Sequence, residues 1–164
     1  MKVSILHACG HTTTHYLKGT PDEIAEATKK LKVLPCYACY INQQYEYAVQ
    51  FATKHQYPKL IGGTVETIRQ ATLARFWILV MFGKRFDALV LESPEEEKRR
   101  DMVRRSIWNN LLNHEDTEFW LKWQKDKERL WEICGAKRAV EGFTQTNQCN
   151  VGQPNSPDGD ERTQ

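Results

Sequence analysis

Two short clusters of thiol and imidazole side chains, His7-Ala8-Cys9-Gly10-His11 and Pro35-Cys36-Tyr37-Ala38-Cys39, constrain the fold of this chain more than any other feature. Three of the five cysteines and two of the five histidines fall in them. Thiolates and neutral imidazole, offered in pairs from two turns distant in sequence, are what a closed tetrahedral zinc site requires. Cys36 and Cys39, at CxxC spacing just ahead of an expected helix, form the stronger pair. Cys9 and His11 are the first choice for the other, because Gly10 between them allows a tight turn. His7 or His15 can stand in for His11, since His7, Cys9 and His11 share strand parity and can face one side. The expected ligand set is therefore Cys9, His11, Cys36 and Cys39 around one Zn2+. A bound metal would contribute on the order of 10 to 16 kcal/mol to ordering a module with few apolar residues of its own.

The chain around these clusters reads as mainly α. Val3, Ile5 and Leu6 before the first cluster and Thr12 to Leu17 after it suggest a small β-hairpin, giving a zinc-ribbon-like head. Thr20-Pro21-Asp22-Glu23 is a capping box with proline at the first helical position; Ile24, Ala27 and Leu31 mark the buried side of a helix ending near Val33. Tyr40 to His55 reads as a second helix, with Ile41, Tyr45, Ala48, Val49 and Ala52 on one face. Residues 1–56 thus form a zinc-binding module with its following helix.

Residues 57–141 read as a helical, bundle-like region. Thr64 caps a long helix with Val65, Ile68, Ala71, Phe76, Leu79 and Val80 inward, which Gly83 ends or bends. Ser93-Pro94-Glu95-Glu96 starts another, with Val103, Ile107 and Leu111 as its stripe. Asp116 caps a last helix in which Phe119, Trp120, Trp123, Leu130, Trp131 and Cys134 recur up to Gly135 or slightly beyond. From 142 to 164 the chain is polar and rich in Gln, Asn, Thr, Pro and Gly, the composition of a disordered tail.

Composition narrows the function classes. A formal net charge of +2 names no partner. Met1 to Leu6 lacks the apolar core of a signal peptide, and the most apolar window, Phe76 to Phe82, is far short of the roughly 20 residues of a membrane span. A cytoplasmic protein with no membrane partner is expected, and in a reducing compartment an odd number of cysteines favours metal over disulfides. Cys134 and Cys149 are then inert thiols. His7-Ala8-Cys9 with Pro35-Cys36-Tyr37-Ala38-Cys39 partly mimics the zinc deaminase signature, but the proton-shuttling Glu is missing and a cysteine at position 9 would close the site. No Gly-rich phosphate loop, nucleophile elbow or HExxH is present, and the acids of His114-Glu115-Asp116 are explained by capping.

Cys9-Gly10-His11, Gly19, Leu31, Cys36 and Cys39, followed by Leu60, Gly62, Thr64, Ile68, Ala71 and Arg75 and by Phe119-Trp120-Leu121, resemble a group of small bacterial, plasmid and bacteriophage-borne proteins. These pair a CGH…CxxC zinc-ribbon-like module with a Leu-x-Gly-(Ser/Thr) helix start. Gly63 is an insertion relative to that pattern, and Thr67, Gln70 and Ala74 depart from it. The resemblance implies zinc binding and a mobile-element setting, without a known reaction. The expected function is a non-enzymatic accessory or regulatory module that binds a protein or nucleic acid. The alternative is an inhibitor that covers a host protein through Trp120, Trp123 and Trp131, with a zinc-dependent enzyme third. Lys98, Arg99, Arg100, Arg104 and Arg105, and beside the metal module Lys29, Lys30 and Lys32, are the basic candidates for phosphate contacts.

Overall fold

The computed structural model describes residues 1–149, which are mostly helical with one antiparallel hairpin at the head. It divides into two compact units, one from Met1 to Tyr57 and the other starting at Pro58.

In the first unit, β1 (Lys2–Leu6) pairs with β2 (Thr12–Tyr16) in a register that places Val3 opposite His15 and Ile5 opposite Thr13. Side chains alternate across a pleated strand, so Ile5 and His7 are buried and Thr13 and His15 half-buried, while Ser4, Leu6, Thr12, Thr14 and Tyr16 face out. The open end is closed by Leu17 N–H donating to the Met1 carbonyl at 2.9 Å and the Met1 ammonium donating to the Leu17 carbonyl at 2.6 Å.

Helix α1 (Pro21–Lys32) packs on β1 and starts as expected. Thr20 accepts from Glu23 N–H, and the Glu23 carboxylate accepts from Thr20 N–H at 2.7 Å. That bond holds the Glu23 carboxyl below the usual carboxylate range. Ile24, Ala27 and Leu31 are only half-buried, because a two-stranded sheet is too small to cover a helix face. Helix α2 (Tyr37–Lys54) begins three residues earlier than expected, with Cys36 as its N-cap and Cys39 in its first turn. Ala48 is buried and Ile41, Tyr45 and Ala52 half-buried, whereas Val49 is exposed.

The second unit is built on α3 (Val65–Asp87), capped by Thr64 accepting from Thr67 N–H. Ala71 to Arg75 are buried on every side, and Val65 is exposed rather than inward. Gly83 neither ends nor interrupts the helix, which continues to a fully buried Phe86. Helix α4 (Pro94–Leu112) is capped by Ser93, but the Glu96 carboxylate accepts from Glu92 N–H, one residue before the cap, so the reciprocal half of the box is displaced.

Where a single aromatic helix is expected between Asp116 and Gly135 there are two. Helix α5 (Thr117–Lys125) ends at Asp126, whose non-helical backbone lets its carboxylate accept from Arg129 N–H and restart the chain as α6 (Lys127–Ile133). Gly135, at φ +80°, then turns the chain into α7 (Ala136–Cys149). The tail expected from 142 is therefore helical through Cys149, with Phe143 buried; 150–164 lie outside the described residues. The core is Phe82, Phe86, Trp120, Leu130 and Trp131 with Ile78 and Leu79. Phe82 and Phe86 meet Trp131 edge-on at 4.7 and 5.4 Å, and Arg85 covers Trp131 while pairing bidentately with Glu128. Ile61 bridges to Asp116 and Trp120 donates to the His114 carbonyl at 2.7 Å, fixing α5 on α3. Among the described residues, no helix is long and apolar enough to cross a membrane.

Candidate metal centre

The hairpin turn and the α1–α2 junction deliver two chelating loops to one place. In the first, Gly10 N–H donates to the His7 carbonyl at 2.9 Å and His7 N–H to the His11 carbonyl at 3.0 Å. This ring needs the φ of +81° that Gly10 supplies. In the second, Pro35 precedes the cap residue Cys36, and the first turn of α2 sets Cys39 three residues later on the same side. The loops are joined directly: Ala8 N–H donates to the Leu34 carbonyl at 3.2 Å, and Cys36 N–H donates to Cys9 Sγ at 3.2 Å.

The ligand atoms of Cys9, His11, Cys36 and Cys39 all lie within 4.8 Å of one another. His11 Nδ1 is 3.2 Å from Cys39 Sγ and 3.8 Å from Cys36 Sγ. A tetrahedral cage of sulfur and nitrogen has edges of about 3.5 to 3.8 Å; the two His11–sulfur distances bracket that range, and no two of the four donors are more than 4.8 Å apart. Cys36 is buried, Cys9 and Cys39 are half-buried and His11 is exposed. The donors thus form a cluster that can hold a metal ion, open to solvent on the His11 side.

Thiol acidity within the cluster is split. Cys9 is lowered to about 6, chiefly because Cys36 N–H and then His11 N–H stabilise its thiolate. Cys39 is pushed up to about 11, first by its hydrogen bond with the Cys36 sulfur and then by desolvation and the neighbouring Cys9. Cys9 is therefore ready as a ligand near neutral pH, and Cys39 must release a proton to join it.

His7 and His15 are drawn away from this cluster. His7, 5% exposed, directs Nδ1 to the Leu31 and Leu34 carbonyls at 3.0 and 3.2 Å, and Nε2 to Thr13 Oγ1 at 2.6 Å and His15 Nε2 at 3.2 Å. Carbonyls only accept, so His7 Nδ1 carries the proton. His7 thereby ties the end of α1, and with it the CxxC loop, to the hairpin. Strand parity put His7 on the inner face but gave no hint of the carbonyls waiting there. Cys134, in the second unit, is half-buried, donates to the Trp131 carbonyl at 3.5 Å, and is pushed up by burial, as suits an inert thiol. The side chain of Cys149 lies outside those described.

Of two sets of expected functional residues, the aromatic one is largely buried and the basic one is partly ion-paired, with Lys98, Arg99 and Arg105 exposed. Trp120 and Trp131 are buried and Trp123 half-buried, so the aromatic anchors of an occluding inhibitor are largely core. On α4, Arg100 pairs with Asp101, and Arg104 with Asp87 and Asp101, which neutralises part of the basic run. Comparison of the chain with family models, curated proteins and solved structures finds no match.

Proposed function

We propose that this chain is a non-enzymatic accessory or regulatory protein whose head is a structural zinc knuckle, presenting α2 to a protein or nucleic-acid partner in the setting of a plasmid or bacteriophage. The convergence of Cys9, His11, Cys36 and Cys39 carries the reading. Three sulfurs and an imidazole nitrogen are the donor set zinc prefers, and four protein ligands leave no position for a reacting water. Cys9 would supply a ready thiolate, Cys36 and Cys39 would fix the start of α2, and His11 would close the site from the turn. Bound zinc would supply folding free energy to a unit whose fully buried apolar residues are few.

The partner surface is supported by tyrosines: Tyr37, Tyr40 and Tyr47 on α2 are 78%, 44% and 53% exposed. Tyrosine is enriched at protein interfaces and also stacks on unpaired bases. The paired arginines of α4 favour the protein version. Metal analysis tests the foundation: one zinc per chain is expected, and a stoichiometry well below one ends this reading. Gel-shift binding to DNA and RNA at several salt concentrations then separates the versions. A steep salt slope selects nucleic acid, and no shift together with one co-purifying host protein selects the protein version.

A further inference from the structure

Beyond the four-ligand cluster, a second group of donors converges on the hairpin. His7 Nε2 and His15 Nε2 are 3.2 Å apart, and Thr13 Oγ1 lies 2.6 Å from the first and 2.7 Å from the second. The rings are tilted by 58° rather than stacked, and the short distances from both Nε2 atoms to Thr13 Oγ1 bring the two Nε2 edges together. Because His7 Nδ1–H is held by the Leu31 and Leu34 carbonyls, the lone pair at its Nε2 faces Thr13 and His15. A backbone carbonyl on the remote nitrogen is the arrangement that orients histidine ligands in metal sites. An ion at the usual 2.0 to 2.1 Å from two nitrogens with this separation subtends an angle of about 100°, close to tetrahedral.

We propose that His7, Thr13 and His15 form a second divalent-cation site, chemically distinct from the thiolate cluster. With two imidazoles, one hydroxyl and no sulfur, it suits zinc or nickel rather than calcium or magnesium. Water completes the coordination, so the ion is exchangeable and held more weakly than the one among the cysteines. On binding, neutral His15 changes tautomer, giving its Nε2 proton to water and taking one from water on Nδ1, so that both Nε2 lone pairs coordinate the cation with no net proton released.

The test is a zinc titration of the full-length protein followed through its histidine ring nitrogens by NMR. The first equivalent shifts His11 Nδ1. A second shifts His7 Nε2 and His15 Nε2 together. His15→Ala abolishes the second equivalent and retains the first, and Thr13→Val weakens the second roughly 10-fold. No second equivalent at millimolar zinc, or one that survives His15→Ala, overturns the proposal. The wild-type nitrogen shifts decide even if the variants fold poorly. Loss of the first equivalent with the second intact would overturn the zinc knuckle alone, so the two ideas fail separately.

Discussion

The backbone N–H of Cys36 points at the sulfur of Cys9 from 3.2 Å, across 27 residues of sequence. A main-chain donor aimed at a sulfur stabilises thiolate over thiol. Together with His11 N–H it lowers Cys9 to about 6, while Cys39 stays protonated up to about 11. In protein stripped of metal, iodoacetamide at pH 7 should therefore label Cys9 first. The Cys9 rate should rise from pH 5 and level off above pH 7; that of Cys39 should still be climbing at pH 10. Peptide mapping after short exposures checks this, and equal labelling of the two at pH 7 would contradict the geometry.

The His7 side chain directs both ring nitrogens away from the four ligand atoms, yet it should matter to metal affinity. Its Nδ1–H serves the carbonyls of Leu31 and Leu34, which lead straight into the Cys36 loop. His7→Phe keeps much of the buried volume but removes the imidazole N–H from those carbonyls, which keep the backbone donors of Leu34 and Ala8, at a cost of about 1 kcal/mol. Zinc affinity at the cysteines should fall by roughly 10- to 100-fold, as when outer partners of a metal site are removed. Competition against a chromogenic chelator measures it. Unchanged affinity would mean that the Ala8–Leu34 and Cys36–Cys9 hydrogen bonds alone hold the loops together.

These two cases mark where the sequence is legible. Thr20, Thr64 and Ser93 announce their helices because a cap is a local device, complete within four residues. Cys36 and Cys39 are readable for the same reason. What fails is information held in contacts between distant segments. Phe119 to Cys134 keeps helical period throughout, so nothing in its spacing reveals that Asp126 stops one helix and caps the next. The polarity of 142–149 likewise hides α7, whose start depends on Gly135 turning the chain and on burial of Ala136 and Phe143. His7, read as a spare ligand, is an anchor because α1 happens to end with two carbonyls in its reach.

Gly63 departs from the resembled pattern by insertion, and its geometry makes it intolerant of change. Its φ is +82°, and a Cβ there would meet the Thr67 side chain at 2.8 Å, against the first turn of α3. Gly63→Ala should cost roughly 1 to 3 kcal/mol from the left-handed backbone and the clash together. Neighbouring Gly62, at φ +88°, has its nearest atoms at 3.6 Å or beyond, so Gly62→Ala should suffer the backbone strain without the clash. Urea unfolding of both variants gives the comparison. A Gly62 variant less stable than the Gly63 variant would show that the contact with Thr67 relaxes at little cost.

Trp120 separates the stability of the helical unit from that of the metal head. It is fully buried, and its Nε1–H donates to the His114 carbonyl at 2.7 Å. Trp120→Ala should cost about 3 to 5 kcal/mol through the cavity it leaves. Trp120→Phe fills part of that space but strands the carbonyl, for about 1 to 3 kcal/mol. All four candidate metal ligands belong to the other unit, Met1 to Tyr57. The thiolate-to-cobalt charge-transfer band of the cobalt-substituted full chain should therefore keep its intensity in both variants at a temperature where the helical unit has begun to melt. If the band fades in step with helicity, the two units unfold as one, and the metal head does not hold its shape on the strength of its own ligands.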